Sequence, residues 1–481
     1  MQADQGKTFQ PRGWKHIFSA VLFCAVAANA QTFTKLADFS SATGGGPGSP
    51  PIQGLDGKLY GTAGSSGPKG HGTLYSATIG GTLGDYLTFC KSSTCPTGAG
   101  PYLSPLQTSD GSFFGFTSGT AFNGTIFKLN SAGVANNLHT FCSPTCVDGD
   151  DPRTNLIQAR DGFLYGTTNT GGTGAALGTI FQLTTGGTLT TVHNFCQLTP
   201  NCTDGAGPLG FGSLIQATDG NLYGTTRNGG AKGNGTIYQF ALNGTFKTIY
   251  EFCKSGTCTD GAHPVGLVQG LDGNFYGATT SGGANGFGDV FKVTRFGGLT
   301  VLYSFCSQTN CTDGNGPTGL ILGSDGNFYG TTANLGSNGA VPNNIYQITP
   351  SGTFNVLYST TLNTQSGVLS VMQATDGNFY GTYSLGGANN LGTFFQLSTG
   401  LGPFVRALRP YGVIGQTASI LGYGLTGSTG VSFNGIAATS FTVVSDSEIT
   451  AVIPTGATTG TLSVAAPGGT LSSVVPFQVF Q

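Results

Sequence analysis

Charge is scarce in this chain: Lys, Arg, Asp and Glu together make up only 8% of 481 residues. Glutamate is nearly absent, occurring only at Glu251 and Glu448, so no pair of glutamates is on hand for glycosidase-type acid–base work. The basic residues are scattered along a chain of net charge −2 and form no patch for nucleic acid. The single tryptophan is Trp14, so beyond residue 30 no indole is present to stack on a sugar. No stretch shows the 3.6-residue apolar periodicity of an amphipathic helix. Beyond residue 30 no apolar run is long enough to span a bilayer. With 38% hydrophobic residues, the composition is nonetheless that of a packed protein rather than a disordered one.

What the chain has in excess is glycine, 83 residues, and much of it falls in a repeat. An Asp-Gly, a polar or aromatic residue, an apolar one, an aromatic and a Gly recur seven times, at Asp56, Asp110, Asp161, Asp219, Asp272, Asp325 and Asp376. The steps are 54, 51, 58, 53, 53 and 51 residues, a period that marks a repeat architecture. In the copy SLIQATDGNLYGTTRNGGAKGNGTIYQFALNGTFKTIYEF, Asp219-Gly220 sits between two apolar runs, the strongest short-range hairpin signal. A Gly-rich loop leads to GTIYQF, and Asn243-Gly244 turns into TFKTIYEF. Each repeat therefore predicts four strands of about five to eight residues joined as hairpins. One such sheet cannot bury both faces alone, so its neighbours must cover it, in a ring or a solenoid.

The ends of the array favour the ring. A spare strand, TFTKLADF (Thr32–Phe39), precedes the first hairpin and matches a fourth strand, while the seventh repeat stops after GTFFQLS at Gly402-Pro403. Exchange of that strand closes the circle and removes two exposed edges. The expected fold is all-β: a seven-bladed β-propeller of four-stranded blades over residues 31–402, closed by the N-terminal strand. Residues 403–481 lack both the repeat and cysteine, and read as six or seven short strands in a small Ig-like β-sandwich.

Residues 1–30 combine Lys7, Arg12 and Lys15 with the apolar run IFSAVLFCAVAA and end at Ala28-Asn29-Ala30, the anatomy of a secretory signal peptide. Ten cysteines remain in five close pairs: Cys90 and Cys95, Cys142 and Cys146, Cys196 and Cys202, Cys253 and Cys258, Cys306 and Cys311. Each pair follows the last strand of a repeat, which in an oxidising compartment reads as local disulfides. Two cysteines per loop are too few for a zinc site. The seven turn aspartates read as turn caps, as do Asp148, Asp204, Asp260 and Asp313 after cysteine pairs. A calcium ion needs six to eight oxygens, more than one carboxylate per turn supplies. GAGPLG at Gly205 and GNGPTG at Gly314 match a dinucleotide fingerprint in letters but open no helix. His139 and His193 fall where other fourth strands carry Tyr250 and Tyr303, and read as packing positions. The repeated Tyr60, Tyr165, Tyr223, Tyr276, Tyr329 and Tyr380 read likewise.

The motif Q-A-T-D-G-N-[LF]-Y-G-T-T…G-T-I-[YF]-Q-[LF]…L-Y-x-F resembles the Gloeo/Verruco-type β-strand repeat of exported bacterial proteins. The likeness covers about residues 31–400, with Phe114 replacing Tyr in the second copy. The tail pieces LRPYGVIGQTASILGYGL, VSFNGIAAT, ITAVIPTGATTG and FQVF resemble an IPT/TIG immunoglobulin-like domain. Together the resemblances imply a secreted modular protein. The expected function is that of a non-enzymatic, monomeric surface or extracellular binding or adhesion protein without a cofactor. It would recognise a protein or glycan ligand at the cell surface through loops such as Arg227–Gly235 and Ser281–Gly288. An extracellular carbohydrate-active enzyme and a passive structural module are the alternatives.

Overall fold

A computed structural model describes residues 31–480, apart from 93, 94, 96, 119–122, 199, 210–213, 334–340 and 361–368. The expected signal peptide lies outside the described residues. Among the described residues the protein is all-β, with helical geometry only in two short 3-10 turns, Cys146–Asp148 and Thr309–Cys311. The repeats form seven antiparallel sheets of four or five strands, each carrying one Asp-Gly turn and named here by that aspartate.

The Asp219 sheet shows how the sequence makes them. Leu214–Gln216 runs into the turn, and Gly220 at φ +82° supplies the left-handed residue that lets Leu222–Thr226 return. Thr236–Phe240 and Phe246–Glu251 complete the order. The two middle strands are almost wholly buried and the fourth is half-exposed, so each sheet needs cover on both faces.

The first strand of a sheet is often shorter than the sequence suggests. Ile52–Gln53, Leu106–Gln107 and Ile157–Gln158 are only two residues long. Prolines crowd the stretches before them, including Pro47, Pro50, Pro51, Pro101, Pro105 and Pro152. Proline donates no ladder hydrogen bond, so the strand breaks there. In the Asp56 and Asp161 sheets, Gly45–Pro47 and Asp150–Pro152 resume the pairing farther along.

Neighbouring sheets bury each other. Tyr60, Phe89 and Phe127 pack between the first two sheets, and Tyr276, Phe305 and Tyr346 between the Asp272 and Asp325 sheets. The circuit closes where Leu59 and Tyr75 of the Asp56 sheet meet Met372, Tyr380 and Phe394 of the Asp376 sheet. Thr32–Asp38 joins the last sheet by pairing antiparallel with Thr393–Ser398, as the ends of the sequence suggest.

That strand also carries the local signature of a fourth strand. Every fourth strand skips one residue in register: Tyr86, Leu138, Val192, Ile249, Leu302 and Leu357, and in the N-terminal strand Leu36. The bulge pushes against the next sheet, where Gly81 (φ +92°) would place a Cβ 2.7 Å from that of Leu36. Gly297 meets Ile249 in the same way. Glycine is needed there for conformation and for room.

Beyond Gly402 the chain builds ten strand segments of two to five residues, in sheets of four, two and four strands. These are more numerous and shorter than expected, because Gly and Pro divide the apolar runs. Ile420, Phe433, Ile449, Leu462 and Phe477 form a core of their own.

Candidate functional site

The Asp-Gly turns gather at one end of the sheets. In each, the aspartate Oδ1 accepts the N–H two residues on, as at Asp219 with Asn221 (3.0 Å). Its Oδ2 accepts the hydroxyl of the motif tyrosine. The six pairs, Asp56 with Tyr60, Asp161 with Tyr165, Asp219 with Tyr223, Asp272 with Tyr276, Asp325 with Tyr329 and Asp376 with Tyr380, span 2.7–3.0 Å. Burial, followed by the adjacent carboxylate, pushes these phenols above their ordinary range. Gln182, Gln239, Gln347 and Gln396 from third strands donate to the same hydroxyls at 2.8–2.9 Å. Asp110 faces Phe114 and takes the Thr108 and Ser112 hydroxyls instead. At Asp272, burial opposes ionisation, but Lys292, Asn274 and Tyr276 hold the carboxyl down to about 2.

The sequence reading missed a second device at this end. Three residues before the aspartate stands a glutamine in six repeats: Gln53, Gln107, Gln158, Gln216, Gln269 and Gln373. Five of them accept a backbone N–H from the preceding sheet. Leu55 donates to Gln107 (2.9 Å), Arg160 to Gln216 (2.9 Å), Thr218 to Gln269 (2.9 Å), Ser324 to Gln373 (2.7 Å) and Thr375 to Gln53 (3.0 Å). The sixth repeat, that of Asp325, has Leu322 at this place.

The C-terminal unit sits on this same end. Arg409 donates to Ser109 Oγ (2.6 Å), Tyr411 to the Gln158 carbonyl (3.0 Å) and Ser447 to the Leu55 carbonyl (2.9 Å). The Arg160 guanidinium lies 5.4 Å from the Phe480 ring centre.

The cysteine loops lie at the opposite end, beside the Gly-rich loops. The ten cysteines form the disulfides Cys90–Cys95, Cys142–Cys146, Cys196–Cys202, Cys253–Cys258 and Cys306–Cys311. His71 lies by the first pair and Asp150 by the second, neighbours that spacing alone did not show. With the sulfurs joined, neither group has thiolates to offer a metal. Three of the Gly-rich loops are hydrogen-bonded to a cysteine loop: Gly172 N–H to the Cys146 carbonyl (2.7 Å), Gly230 to Cys202 (2.8 Å) and Gly283 to Cys258 (2.8 Å).

The aspartates after the cysteines bind backbone and side chain together. Asp260 accepts from the Tyr250 hydroxyl (2.7 Å) and the Cys253 N–H, and Asp313 from the Tyr303 hydroxyl (2.7 Å) and the Ser307 N–H. His139 takes the tyrosine's place against Asp148 at 2.7 Å. His193 lies 3.6 Å from buried Asp204, and burial lowers its imidazole to about 4 despite that carboxylate. His139 thus stands in for tyrosine as the partner of an aspartate, a role beyond packing, whereas His193 Nε2 has no hydrogen-bond partner among the described residues and its ring stacks on Phe246 at 3.9 Å, a packing contact. In the loops between strands, Val147, Leu177, Leu198, Phe287 and Leu385 are exposed.

Repeated four-stranded antiparallel sheets, each stacked on the next, define a propeller-like repeat protein. The chain belongs to the Gloeobacter/Verrucomicrobia repeat family, whose model matches residues 51–258 and 253–443. No curated protein matches it. Among solved structures it is similar to a gluconolactonase from Xanthomonas campestris, at 11% identity and a TM-score of 0.38, covering 76% of this chain and 99% of that one. It is similar also to a protein of unknown function from Bacteroides thetaiotaomicron, at 12% identity and a TM-score of 0.40, covering 77% and 76%. A third is TolB from Acinetobacter baumannii, at 15% identity and a TM-score of 0.32, covering 58% and 61%.

Proposed function

We propose that the chain is an exported, non-enzymatic binding or adhesion protein of the cell surface or its surroundings. Its body is a seven-bladed propeller over residues 31–402, and residues 403–481 form an IPT/TIG-like, immunoglobulin-type module. The supporting observation is the difference between the two ends. The Asp-Gly end is occupied by the C-terminal module, whereas the cysteine end presents loops each closed by its own disulfide and, in three repeats, tied to the neighbouring Gly-rich loop by a backbone hydrogen bond. Loops held by a rigid scaffold are the usual carriers of recognition. The exposed Val147, Leu177, Leu198, Phe287 and Leu385 give that end an apolar contact surface suited to a partner protein.

The test is a pull-down of cell-surface proteins with the full chain, beside Leu198→Asp and Phe287→Asp variants. Both side chains are exposed, so the variants are expected to fold and to lose capture. Capture unchanged in both would overturn the loop assignment. No capture by the wild type would favour a passive structural module.

A further inference from the structure

The C-terminal module does not close flat on the sheets. Between them lies a cavity of about 460 Å³, within the usual range for small-molecule sites. Its floor is made by first-strand residues of four neighbouring sheets, among them Ile52, Leu106, Leu322 and Met372, so it lies over one arc of the circuit, at the junction of the last sheets with the first. Leu408 and Val475 belong to its roof. The lining is predominantly aliphatic, and its one charged side chain is Arg406.

Arg406 is the feature that needs explanation. It is half-buried, and none of the ion pairs among the described residues includes it. Burial lowers its pKa to about 10, with no carboxylate to oppose the shift. It therefore remains a cation at neutral pH. A cation in apolar surroundings without a counter-charge is unfavourable unless something pairs with it. The three glutamine amides of the lining are already engaged. Gln53 Nε2 donates to Thr375, Gln107 Nε2 to the Gly111 carbonyl, and Gln373 Nε2 to Ser324 and Gly377. The guanidinium is thus the charged donor set that faces a guest, and its planar fork matches a carboxylate.

We infer that this cavity binds a small organic anion, a carboxylate carried on an apolar body, with Arg406 holding the carboxylate and the aliphatic lining covering the rest. The site is separate from the cysteine-end loops, so its fate does not depend on their function.

Calorimetric titration of the full chain with sodium octanoate, octan-1-ol and sodium acetate tests it. The expected result is one octanoate site, with octanol and acetate each at least tenfold weaker. Arg406→Gln is expected to weaken octanoate at least tenfold and leave octanol unchanged. Equal binding of octanoate and octanol by the wild type would overturn the assignment, as would no octanoate binding at all. Wild-type affinity in an Arg406→Gln protein of unchanged unfolding midpoint would overturn it too. Should that variant not fold, the wild-type comparison decides, and Val475→Trp, which fills the roof, is expected to abolish octanoate binding.

Discussion

Gln53 and Thr375, 322 residues apart, exchange two hydrogen bonds: Gln53 Nε2 donates to Thr375 Oγ1 at 2.9 Å, and the Thr375 N–H donates to Gln53 Oε1 at 3.0 Å. Both residues are buried. The pair fastens the first sheet to the last with the same contact that Gln107, Gln216, Gln269 and Gln373 make between consecutive sheets.

Gln53→Ala leaves a buried N–H without its acceptor and is expected to cost about 2 kcal/mol. Gln158→Ala is the comparison, because the Gln158 amide donates within its own sheet, to the Gly162 carbonyl (3.1 Å). It should cost less than about 1 kcal/mol. Urea unfolding of both variants checks the difference, and equal losses would deny the glutamine contact any part in closure.

Tyr223→Phe removes the hydroxyl that links Asp219 to Gln239 and is expected to cost about 1 kcal/mol. The Asp110 sheet already has Phe114 at that place and relies on Thr108 and Ser112. The loss should therefore be moderate and the fold unchanged. Thermal unfolding followed by circular dichroism measures it.

Asp289 opens a third strand where the equivalent residues are Thr73, Thr125, Thr179, Thr236, Asn344 and Thr393. It is wholly buried, and neither carboxylate oxygen has a hydrogen-bond partner among the described residues. Burial raises its pKa from 3.8 to about 6, with only the nearby Ser304 hydroxyl acting to lower it. A carboxyl whose folded pKa lies above its unfolded one is tolerated when protonated and destabilises once ionised. The cost is absent below the unfolded pKa, grows through the interval, and is complete above about 6. Asp289→Asn should stabilise the protein by about 2 kcal/mol at pH 8 and by almost nothing at pH 4. Unfolding midpoints at the two pH values decide it, and a gain independent of pH would refute the assignment.

Replacing Cys253 and Cys258 together by serine frees a very short loop and is expected to cost about 2 kcal/mol or less. The pair lies outside the strands, so the sheets should persist. The change should show instead in the loops it fastens, as faster proteolysis around Gly256 and Gly283, whose N–H groups bond to the Cys253 and Cys258 carbonyls. Limited digestion with mass spectrometry reads this directly.

The repeat was legible because each DGxxYG motif encodes its own hairpin, with the turn and both strands contiguous in sequence. The strand left over at Thr32 was legible for a related reason, since it copies the alternation of Thr245–Phe252. The glutamines were visible letters in the repeat, yet their partners stand on another sheet about 50 residues away, and local pattern carries no trace of that. Asp289 stands out only once the third strands are set in register. The seat of the C-terminal module was out of reach, because Arg409 and Ser109, which meet there, stand 300 residues apart in the chain. For the same reason, nothing in the letters around Arg406 distinguishes it from an ordinary exposed arginine.

Pairing Thr32–Asp38 with Thr393–Ser398 also sets an order of events in time. Thr32–Asp38 waits for its partner until all seven Asp-Gly turns have been synthesised. Until then two sheet edges stay open to other chains. A chain that stops within the C-terminal module can still be clasped shut, whereas one that stops before Thr393 cannot. Completion of the circuit is therefore a checkpoint on chain length, and incomplete products should be the ones that aggregate.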